Sequence, residues 1–338
     1  MGAQRARSQD TTSYTRLLFA LAWLEKRGIA MNPKAVDGGL GTTAVAGSEG
    51  MDESAWMPLS EKIRIFYDKS SQIWERVWGE HMHHGYYGPD GLAKVDSPRE
   101  AQRVLIERLL EWSGVQQAEA ILDVGCGIGG SSLVLADRYR AAVTGITLSP
   151  VQRARASERA QQAGASEQVI FEVADAMAMP FEANRFDLVW SLESGEHMPH
   201  KRRFLQECLR VLRPGGRLVL ATWCHRDDAP PARPLSAAER RDLGRIYDLY
   251  HLPGTISLPA YERIATDLGF SQIRTADWSE AVAPFWEDVL KSALQPRVML
   301  EVLKSGWETV LGARAIPLMV SGYRTGLIRY GLLSAVKP

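Results

Sequence analysis

Residues 121–130 read Ile-Leu-Asp-Val-Gly-Cys-Gly-Ile-Gly-Gly, which puts a cluster of glycines directly after a short apolar run. The apolar run predicts a buried strand, and the residues after the glycines predict a helix. Glycine has no Cβ, so the backbone between them can turn sharply and approach a ligand closely. The start of the helix offers free N–H groups and a positive dipole end to a carboxylate or phosphate. The stretch therefore predicts a nucleotide-type site on an α/β fold.

The glycine spacing fits more than one kind of nucleotide site. Gly125, Gly127 and Gly130 satisfy the G-x-G-x-x-G pattern of dinucleotide-binding folds. Such a fold places an acidic residue for the ribose at the end of the next strand. Here that strand ends in Gly145-Ile-Thr-Leu-Ser149, which contains no acid. The missing acid disfavours hydride transfer, whereas a nucleotide-binding module without catalysis stays open.

Outward from this stretch, short β-branched runs alternate with longer helical patterns, which indicates parallel strands joined by right-handed crossovers. The predicted strands are Ala120–Val124, Ala142–Ile146, Val169–Val173, Phe186–Trp190, Arg217–Thr222 and, at the end of the chain, Leu327–Val336. Ser149 and Pro150 predict the start of one crossover helix, and Gly164 predicts its end. A polar segment and a helical pattern over Ser236–Tyr250 interrupt the alternation. We therefore predict a doubly wound, mostly parallel sheet with a helical cap insertion.

The charge balance argues against nucleic acid as a partner. The chain has 338 residues, with 40 basic and 40 acidic side chains, and its formal net charge is zero. No overall field therefore gathers a polyanion. Cys126, Cys208 and Cys224 lie far apart with no C-x-x-C pair, which argues against a disulfide framework or a cysteine-built zinc site. This cysteine pattern favours a reducing compartment.

Residues 1–59 are predicted to form a leader or a flexible extension. The first 50 residues combine several arginines, serines and threonines with few acids, a composition that organelle transit peptides share. An alternative is an amphipathic helix over Tyr14–Lys26 that docks on the domain or on a membrane surface. The apolar run Leu17–Leu24 is much shorter than the about 20 residues that a membrane span needs. We predict no transmembrane helix.

The motifs downstream of the glycines resemble those of class I methyltransferases in order and spacing. Asp175-Ala176 follows the third predicted strand, polar residues end the fourth, and Leu212-Arg-Pro-Gly-Gly216 turns into the fifth. The resemblance implies a Rossmann-like sheet of seven strands and S-adenosylmethionine as the cofactor. It also implies that Asp123 and the glycines surround the methionine part, and that Asp175 and Ala176 hold the adenine.

The chain departs from that family at the ribose, where the usual acid is replaced by Thr147. We therefore assign the ribose contacts to Thr147, Leu148 and Gln152, in a stretch that resembles cyclopropane synthases. The predicted cofactor-binding residues are Asp123, Gly125, Cys126, Gly127, Gly129, Thr147, Leu148, Gln152, Asp175, Ala176 and Ser191.

Four further blocks resemble the gamma-tocopherol methyltransferases: Trp78-Gly-Glu-His-Met-His-His84, 123–132, Ser194-Gly-Glu-His-Met-Pro199 and 222–227. The likeness spans residues 60–338 and implies methylation of a chromanol ring carbon ortho to the phenol hydroxyl. The products would be alpha-tocopherol from gamma-tocopherol and beta-tocopherol from delta-tocopherol, in vitamin E biosynthesis. A similar branch methylates the nitrogen of indole alkaloids, and prenyl benzoquinols and sterols are further candidate acceptors. The blocks do not separate these acceptors, and an inactive cofactor- or lipid-binding protein is the non-enzyme alternative.

The resemblance divides residues 60–338 into four parts. They are N-terminal lid helices (60–115), a cofactor-binding core (116–224), the cap insertion (225–260), and C-terminal helices with the last strands (261–338). A tocopherol-like acceptor is amphiphilic and lies in a membrane, so we predict peripheral contact with a photosynthetic membrane. The compartment is the plastid if the leader is a transit peptide, and otherwise the cytoplasm.

The sulfonium of the cofactor is already a strong electrophile, so the protein chiefly has to align donor and acceptor and exclude water. A phenol, with an ordinary pKa of about 10, becomes a far better nucleophile as the phenolate, which calls for a base. We predict that His197 is this base, because it follows the fourth strand at the sheet edge where such folds bind substrates. Glu193 or Glu196 is predicted to orient it. The alternative is that His197 only packs locally.

The stretches Phe66-Tyr-Asp68 and Trp74–Tyr87 are dense in aromatic residues and histidines, and they predict a lid over the cofactor. The predicted acceptor-binding residues are Trp78, His84, Tyr86, Trp223 and Trp286. His81, His83 and His84 lack partner ligands at metal-binding spacing, so we predict no metal site.

Overall fold

The computed structural model describes residues 59–68, 71, 75, 79–293 and 316–338. The strands in these ranges are β1 (Ala120–Val124), β2 (Ala142–Thr147), β3 (Val169–Val173), β4 (Phe186–Leu192), β5 (Leu212–His225), β6 (Ser271–Asp277) and β7 (Ile328–Val336). They form a seven-stranded sheet in the order β3-β2-β1-β4-β5-β7-β6. Strands β1 to β5 pair in parallel, and β7 runs antiparallel to both of its neighbours. The predicted doubly wound, mostly parallel sheet is therefore confirmed.

Helices and one 3₁₀ turn connect the strands. They are α1 (59–68), α2 (Pro98–Ser113), α3 (Gly130–Tyr139), α4 (Pro150–Gln162), the 3₁₀ turn Gly195–His197, α5 (Lys201–Val211), α6 (Ala237–Tyr250), α7 (Leu258–Asp267), α8 (Ser279–Val282), α9 (Pro284–Ala293) and α10 (Ile316–Thr325). The predicted start of α4 is confirmed, since the Ser149 side chain accepts a hydrogen bond from the Gln152 backbone N–H at 3.0 Å. Ser236 caps α6 in the same way and forms a reciprocal capping box with Glu239.

Two apolar cores lie on opposite faces of the sheet, because successive side chains of a strand point to opposite sides. On β1, Ile121 belongs to one core, and Leu122 and Val124 belong to the other. On β5, Val219 and Leu220 divide in the same way. Burial on both faces explains why these strands are mostly apolar. The rigid sheet fixes the positions of the loops at its carboxyl edge.

Two strands differ from the sequence-based expectation by more than two residues. The fifth was predicted as Arg217–Thr222, but β5 extends from Leu212 to His225, because Leu212 pairs with Phe186 across an irregularity in the register and His225 pairs with Ile328. No strand was singled out at β6. This edge strand is half-buried and polar, so its sequence lacks the apolar pattern of the central strands.

The predicted leader lies outside the described residues, apart from residue 59. The predicted cap contains α6, and α7 begins at Leu258 before the predicted boundary at residue 260. No helix among the described residues is both long and apolar enough to cross a membrane.

Candidate active site

A cavity lies at the carboxyl ends of β1, β2 and β4, where parallel α/β sheets bind their ligands. We call it the donor cavity. Residues of α1, of the segment 80–83 and of the loops after the strands line it. The predicted cofactor-binding residues in its wall are Asp123, Gly125, Cys126, Gly127, Thr147, Leu148, Gln152, Asp175 and Ala176.

Three glycines shape the loop between β1 and α3, and all three adopt positive φ. A Cβ on Gly125 would lie 2.2 Å from the Cβ of Ser194, and one on Gly129 would lie 2.7 Å from the Phe171 ring. A Cβ on Gly127 would meet no protein atom within 4 Å. Gly125 and Gly129 are therefore required by the protein's own packing, whereas Gly127 leaves room for a ligand.

Two predicted cofactor residues do not line the donor cavity. Gly129 is the N-cap of α3 and packs under Phe171. Ser191 is fully buried, and its hydroxyl pairs with that of Ser194 at 2.7 Å. Hydrogen bonding holds Ser191 inside the fold behind the loop, and packing holds Gly129 there. The prediction that these two residues contact the cofactor directly is therefore corrected.

The polar pair assigned to the ribose is held in place by the protein. The Thr147 hydroxyl donates to Gln152 Oε1 at 2.7 Å, and Gln152 Nε2 donates to the Ser71 hydroxyl at 3.1 Å. Both side chains are buried in the cavity wall. Their orientation is thus set before a ligand binds.

A second cavity adjoins the first, and we call it the acceptor cavity. Its wall is formed by Phe66, Tyr67, Met82, His83, His84, Gln102, Glu193, Glu196, His197, Trp223, Tyr250, Leu252, Phe285 and Trp286. Tyr67, Met82, His83, Glu193 and His197 line both cavities. These shared residues mark the junction at which a group can pass from one bound molecule to the other.

His197 lies at this junction, but its partner is not the one predicted. Its Nε2 is 2.8 Å from the hydroxyl of Tyr67 on α1. Burial, together with Lys201 and His251, lowers the pKa of His197 to about 3, so the ring is neutral at physiological pH. The sequence reasoning did not single out Tyr67.

Glu193 and Glu196 were predicted to orient His197, and both are engaged elsewhere. The Glu193 carboxylate faces His84 and Trp223, and Glu196 accepts a hydrogen bond from the Thr222 hydroxyl at 2.8 Å. The prediction is therefore wrong, because buried carboxylates bind the nearest donors and those donors come from other strands.

Known proteins share this sequence and this fold. A family described as "Methyltransferase domain" matches residues 122–220. A probable tocopherol O-methyltransferase of Oryza sativa subsp. japonica is 48% identical over 285 residues, which are 83% of this chain and 79% of the relative. The tocopherol O-methyltransferase of Arabidopsis thaliana is 42% identical over 88% of this chain and 87% of the relative. The chain belongs to the gamma-tocopherol methyltransferase family.

Other proteins show how widely the family's architecture extends. The 2-methyl-6-phytyl-1,4-hydroquinone methyltransferase of Synechocystis is 37% identical over 82% of this chain and 88% of the relative. The crystal structure of a putative sarcosine dimethylglycine methyltransferase from Galdieria sulphuraria is 26% identical and covers 80% of this chain and 98% of that chain, with a TM-score of 0.69. As a member of the gamma-tocopherol methyltransferase family, the chain is an enzyme that uses S-adenosylmethionine.

The donor cavity fits that cofactor. Gly127 leaves open space in the loop, and the N-cap of α3, Gly129, has no side chain to cap the helix, so the first N–H groups of α3 are available to a carboxylate. Asp175 and Ala176, which follow β3, line the same cavity, and their contact with the adenine stays a prediction. When bound, S-adenosylmethionine supplies an electrophilic methyl group.

Asp123 gives cofactor binding an expected dependence on pH. Burial raises the pKa of its carboxyl to about 7, although the Ser132 hydroxyl donates to Oδ2 at 2.6 Å. The folded protein therefore favours protonated Asp123, and the unfolded chain does not. Protonated Asp123 therefore contributes to the free energy of unfolding at low pH, and this contribution is lost as pH rises from about 4 to about 7. The methionine part carries an ammonium group, and the ionised carboxylate favours that cation.

We therefore expect cofactor affinity to rise with pH up to about 7 and to level off above it. Titration calorimetry at several pH values measures this slope. Asp123→Asn should remove the slope and weaken binding at high pH, whereas an unchanged slope in this variant would assign the titration to another group.

In this family member Glu193 joins parts of the chain that are distant in sequence. Its carboxylate accepts hydrogen bonds from the His84 backbone N–H (2.7 Å), His84 Nδ1 (2.8 Å), Trp223 Nε1 (2.9 Å) and the Tyr330 hydroxyl (2.9 Å). Burial alone would raise the pKa of Glu193, but the interactions with His84 and Trp223 outweigh it and lower the pKa below its usual range. Glu193 is therefore an anion that holds the walls of the acceptor cavity together.

His84 extends the hydrogen-bond network of Glu193 to the C-terminal helices. Its Nε2 accepts a hydrogen bond from Trp286 Nε1 at 2.6 Å and lies 3.1 Å from the Tyr323 hydroxyl. An indole nitrogen can only donate, so His84 Nε2 is unprotonated and Nδ1 carries the hydrogen that goes to Glu193. His84 thus links the residue that follows β4 to α9 and α10.

Glu196 and Lys201 are two buried charged residues close to His197. Burial, with the nearby Glu193, raises the pKa of Glu196 to about 8, and burial lowers the pKa of Lys201 to about 7. Lys201 Nζ donates to the backbone carbonyls of Gly195 and Glu196, at 2.8 and 3.0 Å. Lys201 therefore clamps the 3₁₀ turn that carries His197.

The predicted acceptor-binding residues divide into three groups. His84, Trp223 and Trp286 line the acceptor cavity. Tyr86 does not, because its ring packs against Trp278 at a centroid distance of 5.1 Å, so this prediction is corrected. Trp78 lies outside the described residues.

Several residues of the cavity walls were missed by sequence reasoning, namely Tyr67, His83, Gln102, Tyr250 and Phe285. His81, His83 and His84 form a cluster in the sequence, but sequence spacing alone does not tell which of their rings line the cavities. Tyr250 belongs to the predicted cap helix, and only the packing of that helix brings it to the site.

Proposed function

We propose that this enzyme transfers the methyl group of S-adenosylmethionine to an aromatic ring carbon of a tocopherol-type chromanol, ortho to its phenol hydroxyl. The observation that carries the proposal is the acceptor cavity, which has aromatic walls and shares its polar residues with the donor cavity. Two relatives are named tocopherol O-methyltransferases, which supports a tocopherol as the acceptor although the names give oxygen as the methylated atom. A third relative is named for a phytyl hydroquinone.

The walls favour an apolar aromatic acceptor over a charged one. Phe66, Trp223, Phe285 and Trp286 surround the cavity, and no Lys or Arg lines it among the residues that the structure describes. Aromatic walls pack well against a flat ring, whereas a phosphate or carboxylate would need a cation.

The cavity also holds polar atoms that await a ligand. Gln102 Oε1, Tyr250 Oη, His83 Nε2 and His197 Nδ1 are buried and find no hydrogen-bond partner within the described part of the chain. Unsatisfied buried atoms are costly, so their occurrence together in one cavity points to a ligand hydroxyl that satisfies some of them.

The choice of ring carbon or oxygen depends on which atom faces the methyl group. If polar side chains at the junction hold the hydroxyl, the neighbouring ring carbon can face the donor cavity, and carbon methylation follows. His197 is the base nominated by the sequence, and loss of such a base would lower turnover by about 10²–10⁴-fold.

The test is incubation of the purified enzyme with methyl-labelled S-adenosylmethionine and single acceptors in detergent. The acceptors are gamma-tocopherol, delta-tocopherol, a methylated prenyl benzoquinol, a sterol and an indole alkaloid. We expect label in alpha-tocopherol and beta-tocopherol. Each product keeps its free phenol and can be oxidised electrochemically, whereas a methyl ether of the same mass cannot.

The remaining outcomes count against the proposal in different ways. Label in a methyl ether would replace carbon by oxygen as the methylated atom. Label only in the alkaloid, the sterol or the benzoquinol would overturn the acceptor. Cofactor binding without any labelled product would favour a binding protein that has lost catalysis.

A further inference from the structure

His83 is a buried imidazole at the junction whose tautomer is fixed by the backbone. The side chain is 6% exposed and lines both cavities. Its Nδ1 lies 2.8 Å from the carbonyl oxygen of His84. A carbonyl can only accept, so Nδ1 carries the hydrogen and Nε2 is left with a free lone pair. That Nε2 is buried and has no partner among the residues described.

His197 is less well prepared to take a proton. Its Nε2 is occupied by the Tyr67 hydroxyl, which donates its hydrogen if no other acceptor is near. In that arrangement the hydrogen of His197 is on Nδ1, and the ring has no free lone pair. Of the two imidazoles at the junction, His83 is therefore the one that the local hydrogen bonds leave basic.

The groups around His83 suit a proton acceptor. Burial and the neighbouring His84 lower the pKa of His83, so the ring is neutral before the reaction, and the Glu193 charge opposes that shift. The Glu193 anion would thus stabilise the imidazolium once it forms. The His81 ring packs beside His83 at a centroid distance of 5.0 Å. Gln102 Nε2 donates to the backbone carbonyls of His81 and His83, at 2.9 and 2.8 Å, and holds the segment rigid.

We propose that His83 Nε2 takes the proton of the acceptor's hydroxyl. This role of His83 rests on the proposed function. The O–H bond breaks as the N–H bond forms, and the electron pair that stays on oxygen activates the ortho carbon. That carbon bonds to the methyl group while the carbon–sulfur bond breaks and leaves S-adenosylhomocysteine. The ring carbon then releases its hydrogen to water as a proton, and His83 returns its own proton to the oxygen. His197 and Tyr67 position the ring.

The test variant is His83→Asn. The asparagine amide can still donate to the His84 carbonyl, so the structural hydrogen bond is kept while the base is lost. The matched control is His225→Asn. His225 is also buried, its Nδ1 lies 2.6 Å from the carbonyl oxygen of Arg226, and it lines neither cavity. Both variants should keep their cofactor affinity and their unfolding midpoint.

We expect His83→Asn to lower kcat for gamma-tocopherol by about 10²–10⁴-fold and His225→Asn to leave it unchanged. The pH profile separates a base from a structural residue. Without the base, log kcat should rise by about one for each pH unit up to the phenol pKa of about 10, whereas the wild-type profile should be flat over neutral pH. An acceptor analogue with a more acidic phenol should recover part of the lost rate.

Three results would overturn the assignment. The first is near wild-type turnover in His83→Asn. The second is a loss of turnover in His83→Asn with a pH profile like that of the wild type. The third is that the pH-dependent loss of turnover occurs in His197→Asn and not in His83→Asn. Failure of the proposed function is distinguishable, because the wild-type enzyme itself would then form no ring-methylated tocopherol.

Discussion

Glu193→Ala should lower the free energy of unfolding by about 3–5 kcal/mol and abolish turnover. The variant leaves the donors of His84, Trp223 and Tyr330 buried without their acceptor. Each unpaired buried donor costs about 1–3 kcal/mol, and the alanine also leaves a cavity. Turnover should fall with stability because His84 and Trp223 are walls of the acceptor cavity. Urea unfolding followed by tryptophan fluorescence measures the first effect.

Two further variants identify the cause. Glu193→Gln keeps the shape but turns an N–H group toward donors, so its loss of stability should be smaller than that of alanine but still measurable. Glu182→Ala removes an exposed glutamate and should change stability by less than about 0.5 kcal/mol. Equal stability of Glu193→Ala and wild type would contradict the role of Glu193 as an anchor.

Gly127→Ala is expected to weaken binding of S-adenosylmethionine by about 10- to 100-fold while the protein stays folded. The added Cβ meets no protein atom within 4 Å, so it projects into space that the cofactor needs. Overpacking of that kind costs about 1–3 kcal/mol, and about 1.4 kcal/mol corresponds to a factor of ten in affinity. Titration calorimetry with the cofactor provides the measurement.

Two other glycines serve as controls. Gly164 also has a positive φ and open space around it, but it ends α4 away from the cavities, so Gly164→Ala should carry the same backbone cost with normal affinity. Gly125→Ala should instead destabilise the fold, since its Cβ would lie 2.2 Å from that of Ser194. If Gly127→Ala and Gly164→Ala bind the cofactor equally well, the space beside Gly127 is not used for binding.

The donor half of the site was predictable because its determinants are local. The loop at 125–130, the capped start of α4 and the apolar strands each follow from a few adjacent residues. The edge strand β6 escaped because half-exposed polar residues leave no apolar pattern.

The acceptor half could not be predicted in the same way, because its contacts join distant residues. His84 and Tyr323 are 239 positions apart and meet at 3.1 Å. No periodicity in the sequence encodes that pairing. Glu193 directly follows β4 and Glu196 lies in the 3₁₀ turn after it, but their partners come from distant parts of the chain. Glu193 was therefore predicted to orient a base, and it instead binds His84, Trp223 and Tyr330.

The position of β7 has a consequence for biosynthesis. This strand follows β6 in the chain, yet it lies inside the sheet between β5 and β6. On the ribosome, β1 to β5 and the glycine loop emerge first, so a growing chain contains the residues of the donor cavity before β6 can join the sheet. Tyr323 and Tyr330, which contact His84 and Glu193, emerge only after β6. In the order of synthesis, the residues of the donor cavity thus precede the helix and strand whose tyrosines complete the contacts of His84 and Glu193.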